Sequence, residues 1–513
     1  MTPSQQRAQD SAGAQDWDAD ALGVLLASFT GTEVPDFLAE PLRAGLGGVI
    51  LFGYNTPDPA TCARLCRALH AIEPQLLVAV DEEGGDVTRL QAAEGSSLPT
   101  AWAPGEVDDV GLTRRAGRAL GDLLAACDVD LDLAPVLDVS TDPGNPVIGT
   151  RAFGDEPDLV TRHARAVAGG LRDAGVGVCG KHFPGHGATQ VDSHTALPTI
   201  GLDREDFTRD HLEPWQLAPW MDAVMTAHVQ VPALGQGPAS IAPWARQVLD
   251  EVCGEGGFRG LVVTDALDME AVAGTIGYGE AVVRAVEAGA HLLCLGTSIR
   301  RDEQEMLREA HDALVDALGS GRLSREVLAR RAAEVRQRRG WIRERRRGIA
   351  APALETALER LRAVGAEAAA RAVHGHRATG ALTGRPVVVA DARRRRDHAS
   401  GSRRSVLVQV LGEHGIPAEE AHYPADLARP GTDAVVITRL PRTDPEEQAR
   451  LDALLRQRPD AIVVHVGVPD AARRHDRWVQ AHGAGRASMT AAVELLQGRG
   501  SAGQSSAGWA GLR

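Results

Sequence analysis

Short apolar runs alternate with segments of helical periodicity over residues 22–297. Several runs are continuously apolar, which is typical of parallel strands covered on both faces. The pattern predicts eight strands, Val24–Phe29, Gly48–Phe52, Leu76–Val80, Leu131–Leu137, Val176–Lys181, Ala223–His228, Leu261–Thr264 and His291–Leu295. Eight strand and helix units over about 280 residues favour a (β/α)8 TIM-type barrel over an open doubly wound sheet.

Helix signals occupy the stretches between these strands. Proline-containing starts predict helices over 58–72 and 156–174, and an apolar stripe predicts one over 268–288. The stretch 302–347, which ends in an arginine-rich run, is predicted to form the closing helices of the barrel.

A second α/β pattern follows a helical stretch at 353–374. It contains four predicted strands, Pro386–Ala390, Ser405–Leu411, Ala434–Ile437 and Ala461–Val466, and a last helix around Thr490–Leu496. This order favours a smaller doubly wound αβα domain. No G-x-G-x-x-G follows its first strand, so no nucleotide site is predicted. The predicted organisation is a disordered segment 1–18, a catalytic barrel 19–347, a linker with a helix 348–379, a C-terminal α/β domain 380–497 and a flexible tail 498–513.

Charge excludes one class of partner. The 513 residues carry a net charge of -14, whereas nucleic-acid binding needs a basic stripe that neutralises phosphates. The local basic runs 345–347 and 393–396 are not interleaved with aromatic residues, which favours solvated faces or linkers. We therefore expect no nucleic-acid partner, and the sequence indicates no oligomeric state.

Composition and the start of the chain predict a cytoplasmic protein. The first twenty residues lack the basic and apolar regions of a secretory signal, and no stretch approaches 18 uninterrupted apolar residues, so neither export nor a membrane span is expected. The six cysteines include no C-x-x-C pair and are interpreted as reduced thiols.

Polar clusters follow the predicted strands, where the loops of a barrel converge on its working face. They occupy residues 81–89, 138, 145–154, 181–194, 226–228 and 263–267. The segment 181–194 is the most informative, because it holds three histidines, one aspartate and the one lysine of the chain. A metal site at His182, His186 and His194 is one alternative, although no thiolate is near, and an incidental polar surface loop is another. We expect no metal and no cofactor.

Four motifs carry a resemblance to a known family. They are K-H-F-P-G-H-G at 181–187, D-S-H at 192–194, V-T-D-A-L at 263–267 and D-E-E-G-G at 81–85. Together they resemble glycoside hydrolase family 3, in its β-N-acetylglucosaminidase (NagZ-type) branch. The resemblance covers residues 22 to about 345 as the barrel and, more loosely, the C-terminal domain.

The resemblance implies a retaining exo-β-N-acetylglucosaminidase, a β-N-acetylhexosaminidase that removes terminal GlcNAc from cell-wall or chitin-derived fragments, as in peptidoglycan recycling. Asp265 matches the nucleophile, and His194 held by Asp192 matches the acid/base. An imidazole suits both proton transfers at neutral pH, and a carboxylate partner would raise its pKa. The alternatives are a helix cap near 268 for Asp265 and a loop aspartate beside an unrelated histidine for the pair.

Substrate contacts are carried over in the same way to Asp81, Arg89, Arg151, Lys181 and His182. The aspartate can accept from sugar hydroxyls, and the cations can donate to sugar oxygens. A salt bridge at the barrel rim is the alternative for each arginine. His228 is expected to line the pocket without an assigned role, and a small GlcNAc-terminated carbohydrate is the expected partner.

Two positions depart from the family pattern. Glu82 and Asp86 stand where Gln and Arg are more usual, so a more acidic pocket mouth is expected, which would disfavour an anionic aglycone. A phosphorylase of the same branch is an alternative, as are a β-glucosidase or β-xylosidase and a non-catalytic sugar-binding barrel. The sequence does not choose the aglycone.

Overall fold

The computed structural model describes residues 18–191, 196–297, 299, 301–393, 406–469 and 475–499. The first part of the chain forms an eight-stranded parallel barrel. Its strands are β1 (Leu25–Ala27), β2 (Gly48–Leu51), β3 (Leu77–Val80), β4 (Leu131–Asp132), β5 (Gly177–Phe183), β6 (Ala223–Thr226), β7 (Leu261–Thr264) and β8 (Leu293–Cys294). Successive strands are neighbours and β1 pairs with β8. The eight predicted strands and the barrel are confirmed.

Backbone hydrogen bonds join β7 to β8 and bring the sheet close to closure. His291 N–H donates to the Val262 carbonyl at 2.7 Å, and Thr264 N–H donates to the Leu292 carbonyl at 3.1 Å. The fourth strand is shorter than predicted, since Pro135 within the predicted span cannot donate to a ladder.

Helices surround the barrel. Those of eight residues or more are Asp36–Ala44, Pro59–Ile72, Val110–Ala126, Pro157–Asp173, Pro243–Cys253, Tyr278–Glu287, Glu303–Gly319 and Arg325–Arg346. Shorter ones are Ala19–Leu22, Trp102–Val107, Arg204–Phe207 and Ala273–Ile276. The predicted helix over 268–288 is wrong as one element: Gly277, at a φ of 87°, separates two helices.

Two apolar layers stabilise the barrel. Side chains such as Leu26, Ile50 and Met225 fill the inside, while Leu25 and Val49 point outward to the helices. This alternation follows from the period of two along each strand. The strand ends are thereby fixed around one central axis, which places the polar residues that follow them.

The second part of the chain forms a six-stranded sheet. Its strands are β9 (His374–His376), β10 (Val387–Asp391), β11 (Ala418–Glu420), β12 (Asp433–Thr438), β13 (Ile462–His465) and β14 (Trp478–Gln480). Their order is β11-β10-β12-β13-β14-β9, with only β9 antiparallel. Its helices are Leu407–Glu413, Pro445–Gln457 and Arg486–Leu496. The smaller α/β domain is confirmed.

One predicted strand of this domain is wrong. Within the span Ser405–Leu411, whose first residue lies outside the described residues, the chain forms the helix Leu407–Glu413. Leu407, Val410 and Leu411 are buried and Gln409 is exposed. That spacing is helical, because a strand would have buried alternate residues.

The helix Leu354–Ala372 joins the two parts. It packs on the barrel helix Val110–Ala126 and on Arg486–Leu496 of the second domain. The adjoining strand β9 lies in the segment predicted as a linker and forms one edge of the second sheet. None of the helices in the described part of the chain is long and apolar enough to cross a membrane.

Candidate active site

A cavity of about 540 Å³ lies at the carboxyl ends of the barrel strands. This size is typical of small-molecule sites. Its acidic, basic and histidine lining residues are Asp81, Glu83, Arg89, Arg151, Lys181, His182, His186, Asp265 and Asp268. The structure therefore places all the described residues that were predicted to act on the substrate around one cavity.

Lys181 lies at the centre of an ion-pair network. Its Nζ is 2.8 Å from Asp81 Oδ1 and 2.6 Å from Glu83 Oε1. Arg151 binds Glu83 with two parallel contacts, Nε to Oε2 at 2.9 Å and Nη2 to Oε1 at 2.7 Å. Such a bidentate pair fixes orientation as well as charge. The alternative for Arg151 was a salt bridge at the barrel rim. The structure instead shows a buried ion pair inside the cavity.

The network keeps its members charged. Burial alone would raise the pKa values of Asp81 and Glu83, but Lys181 and a neighbouring arginine outweigh it and lower both. Burial would lower the pKa of Lys181, and the two carboxylates outweigh it and raise that pKa. The site therefore presents fixed charges to a ligand across neutral pH.

Glu82 does not make the pocket mouth acidic, which corrects the expectation from its sequence position. Its buried carboxylate accepts hydrogen bonds from the Thr88 hydroxyl at 2.5 Å and from the Arg89 and Leu90 N–H groups at 2.7 and 2.9 Å. It thereby holds the turn that carries Arg89. Arg89 Nη2 lies 3.5 Å from Asp81 Oδ2, and its guanidinium sits 5.9 Å from the Phe52 ring centroid.

Asp86 points away from the cavity as well. Its Oδ1 accepts the Ala484 N–H of the second domain at 2.7 Å. Neither Glu82 nor Asp86 therefore makes the pocket mouth more acidic, and the argument that this acidity would disfavour an anionic aglycone is wrong.

Asp138, which follows β4, contacts two histidines. Its Oδ2 lies 2.7 Å from Nδ1 of the His182 ring, and its Oδ1 accepts the backbone N–H of His186 at 2.6 Å. Arg151 Nη2 lies 3.4 Å from His182 Nε2. Burial lowers the pKa of His186 to about 4, which keeps its ring neutral at pH 7.

Asn145 ties the loops after β4 and β5 together. Its Nδ2 donates to the His186 carbonyl at 2.9 Å, and its Oδ1 accepts the N–H groups of Val147 and Ile148. One amide thus fixes the backbone on both sides of the cavity.

Asp265 follows β7 directly and lines the cavity. Its Oδ1 accepts the Ala266 N–H at 2.8 Å. The helix-cap alternative is wrong, because the next helix begins at Ala273 and its capping position is Val272. His228, after β6, was expected to line the pocket, but it is not among the residues that line the cavity. Its ring contacts the Ser240 hydroxyl at 2.6 Å and the Ala266 carbonyl at 2.8 Å, which holds the loop beside Asp265.

The predicted acid/base pair, Asp192 and His194, lies outside the described residues. The structure describes the chain up to residue 191 and again from residue 196. Among the described residues no group of His, Cys, Asp or Glu is arranged to hold a metal ion, and His194 of the proposed metal triad is not among them.

Four residues of the site were not predicted as site residues: Glu83, His186 and Asp268, which line the cavity, and Asp138, which contacts the lining residue His182. Each belongs to or directly follows a polar cluster at a strand end, and this position is the signal that could have found them. The pairing of Glu83 with Lys181, 98 residues later, has no local sequence signature.

The strand ends of the barrel place carboxylates around one cavity, as the hydrolysis of a glycosidic bond requires. The model of the family described as Glycosyl hydrolase family 3 N terminal domain matches residues 32–337, so the chain belongs to glycoside hydrolase family 3.

Relatives and solved structures agree with this family. A β-hexosaminidase of Nitrosomonas eutropha is 35% identical over 288 residues, 53% of this chain and 80% of that protein. A β-hexosaminidase A of Pseudoalteromonas piscicida is 32% identical over 329 residues, 59% of this chain and 55% of that protein, so the match spans about half of that relative.

Among solved structures, a family 3 β-N-acetylglucosaminidase of Paenibacillus sp. str. FPU-7 is similar over both domains. Its TM-score is 0.81 at 30% identity, with 96% of this chain and 98% of that chain covered. A β-glucoside phosphorylase has a TM-score of 0.74 at 18% identity, with 98% and 95% covered, and at that identity it shows the fold alone. The chain is thus a glycoside hydrolase of family 3 with two domains.

Proposed function

We propose that this protein is a retaining exo-β-N-acetylglucosaminidase that removes terminal GlcNAc from cell-wall or chitin-derived fragments. The observation that carries the proposal is the shared cavity of Asp265 and the Lys181 network. The similarity to proteins named β-hexosaminidase and β-N-acetylglucosaminidase supports the choice of sugar.

Asp265 is the proposed nucleophile. An ionised carboxylate at this position attacks the anomeric carbon, the bond to the leaving oxygen breaks, and a glycosyl-enzyme forms. Water then attacks the same carbon, releases GlcNAc with retained configuration and restores the carboxylate.

His194, oriented by Asp192, is the proposed acid/base. The imidazolium protonates the leaving oxygen in the first step, and the neutral ring takes a proton from water in the second. The position of the pair in the sequence supports this role, since His186 lines the cavity and lies eight residues before His194. An aspartate beside the ring stabilises the charged form that the first step needs.

The Lys181 network is the proposed sugar-binding floor. Ammonium and guanidinium groups donate to hydroxyl oxygens, and Asp81 accepts from hydroxyl groups. Because Lys181, Arg151, Asp81 and Glu83 hold one another in place, little side-chain order remains to be acquired when a sugar binds. His182 is proposed to contact the substrate from the same side, with its ring fixed by Asp138.

We also propose that the enzyme works in the cytoplasm. All six cysteines are free thiols and five of them are buried. This supports a reducing compartment, where disulfides are rare.

Product analysis on a GlcNAc-terminated disaccharide tests the function. The reaction is run in phosphate buffer and in a buffer without phosphate, with Asp265→Ala protein as the control. We expect free GlcNAc in both buffers and none from the variant. GlcNAc-1-phosphate as the main product would establish the phosphorylase instead, and sugar binding without any cleavage would establish a non-catalytic barrel.

A further inference from the structure

A turn of the second domain contacts the barrel loop that surrounds the sugar-binding network. We call residues 482–485, His-Gly-Ala-Gly, the interdomain turn, and residues 82–100 the substrate loop. The Ala484 N–H donates to Asp86 Oδ1 at 2.7 Å, and the Thr100 hydroxyl donates to the His482 carbonyl. The two contacts hold the substrate loop at both of its ends.

Further contacts continue along the same loop. Just beyond the turn, Ala487 N–H donates to the Ser96 carbonyl at 3.2 Å, and Arg486 Nε donates to the Glu94 carbonyl at 2.8 Å. Residues 94–100 are thus bonded to the second domain through side chains and backbone together.

The two glycines of the interdomain turn permit this approach. A Cβ at Gly483, whose φ is 132°, would lie 2.5 Å from Thr100 Cγ2. A Cβ at Gly485 would lie 3.0 Å from the Gly85 carbonyl oxygen. Side chains at these positions would push the domains apart or shift the loop.

Asp86 is connected to the cavity through one tight backbone turn. The N–H groups of Glu83 and Gly84 both donate to the Val87 carbonyl at 3.1 Å. Glu83 in turn holds Lys181 at 2.6 Å and Arg151 at 2.7 Å. A displacement of Asp86 therefore moves the backbone of Glu83 and loosens the cations of the floor.

We propose that the second domain positions the sugar-binding network by fixing Asp86 with the Ala484 N–H. Asp86 is a positioning residue: it lies outside the cavity lining and acts through Glu83. A hydrogen bond to a carboxylate is stronger than one between neutral groups, which suits a contact that must hold a loop. The inference rests on the proposed function, because it assigns the network to sugar binding.

The test compares Asp86→Ala with Asp86→Asn on an aryl β-GlcNAc substrate. The alanine variant loses the acceptor, and we expect kcat/KM to fall about tenfold or more, mainly through KM, since small misplacements of binding groups have large effects. The asparagine variant keeps an acceptor oxygen, so its kcat/KM should stay within about threefold of the wild type. Thr100→Val, which removes the bond to the His482 carbonyl, should raise KM in the same direction.

The matched control is Glu367→Gln. It removes an exposed ion pair between the barrel and the joining helix Leu354–Ala372, Arg115 to Glu367 at 2.6 Å, that does not touch the substrate loop. We expect its KM and kcat to be unchanged. If Asp86→Ala lowers only the melting temperature and leaves KM unchanged, or if Glu367→Gln raises KM equally, the positioning role is wrong.

Hydrogen exchange separates this inference from the proposed function. Peptides covering residues 82–100 should exchange faster in Asp86→Ala and Thr100→Val than in the wild type, whatever the substrate is. An inactive wild type with faster exchange in the variants would contradict the proposed function alone. Unchanged exchange in both variants would overturn the domain contact as a positioning device.

Discussion

Lys181 Nζ lies 2.6 Å from Glu83 Oε1 at the floor of the cavity. Lys181 is only 1% exposed, and it is the one lysine among the 55 cationic side chains of the chain. An ammonium is a compact charge that can be shared between Glu83 and Asp81, whereas a guanidinium is a planar fork that needs more room. The geometry explains why arginine does not occupy this position in a chain that uses it everywhere else.

Lys181→Arg should therefore impair substrate binding. We expect kcat/KM to fall about tenfold or more, because the longer fork displaces Asp81 or Glu83. Steady-state kinetics on an aryl β-GlcNAc substrate measures the effect. The matched control is Arg114→Lys. Arg114 forms an exposed ion pair with Asp173 at 2.6 Å, and its replacement should leave kcat/KM unchanged. Normal kinetics in Lys181→Arg would remove the lysine from the sugar-binding floor.

Glu83→Gln should destabilise the fold as well as the site. Loss of one partner from a buried ionic network typically costs about 3–5 kcal/mol, since it leaves charges without compensation. Urea unfolding at pH 7 measures the free energy of unfolding. The control Glu280→Gln breaks a partly exposed pair with Arg322 and should cost less than about 1 kcal/mol.

The destabilisation caused by Glu83→Gln should depend on pH. The pKa of Glu83 is lowered in the folded protein, so its stabilisation is complete above its unfolded pKa of about 4.3 and is lost as pH falls towards the folded value. The difference in unfolding free energy between wild type and Glu83→Gln should shrink from pH 5 to pH 3. A difference that grows over this range would show that Glu83 is not held as a carboxylate.

A buried histidine on the face of the barrel opposite the cavity predicts a second effect of pH on the free energy of unfolding. His291 Nδ1 accepts the Val262 N–H at 3.0 Å, and burial, aided by nearby arginines, lowers its pKa to about 3. Because the unfolded ring titrates near ~6.5, the unfolded state binds more protons between about pH 6.5 and pH 3. Stability contributed by the neutral ring is therefore complete above pH 6.5 and is lost as pH falls.

His291→Gln should weaken that dependence. Between pH 6.5 and pH 4.5 we expect the variant to lose about 2 kcal/mol less unfolding free energy than the wild type. Urea titrations at half-unit intervals give the comparison, with exposed His422 changed to Gln as the control. Identical pH slopes in wild type and His291→Gln would contradict a neutral buried ring.

The barrel could be predicted because its strands are rich in apolar residues and because the polar residues of the site follow those strands in the sequence. Short continuous runs such as Leu261–Thr264, repeated eight times with helix signals between them, favour buried parallel strands. The ends of these runs located Asp81, Lys181 and Asp265 at one face. The second sheet was harder to predict. Its strand Ala418–Glu420 is short, polar and at an edge, and the apolar run 406–411 satisfies a helix and a strand equally until burial is known.

The directions of side chains could not be predicted at all. Glu82 and Glu83 are adjacent, yet one holds the backbone at 89–90 and the other holds Lys181 and Arg151. Their difference depends on the positive φ of Gly84 and Gly85 and on partners far away in the chain. Asp86, interpreted as part of the pocket mouth, instead meets a turn almost 400 residues later.

Asp265 and His194 should respond differently to the leaving group. Asp265→Ala removes the proposed nucleophile and should abolish turnover of every β-GlcNAc substrate, because no glycosyl-enzyme can form. His194→Ala removes the proton donor of the first step and the base of the second. It should slow a disaccharide far more than an activated aryl glycoside, because the aryl leaving group needs little protonation.

The ratio of the two rates decides the role of His194. We expect His194→Ala to lose at least about 100-fold in kcat/KM on the disaccharide relative to its loss on the aryl substrate, within the usual range for general acid catalysis. Asp192→Asn should also lower kcat/KM on the disaccharide more than on the aryl substrate, but by a smaller factor, since it removes the charge that stabilises the imidazolium. The control is His228→Gln: its ring contacts Ser240 and the Ala266 carbonyl, so any loss should be equal on both substrates. Equal losses for His194→Ala on both substrates would assign the histidine to binding, and the proton donor would have to be sought elsewhere.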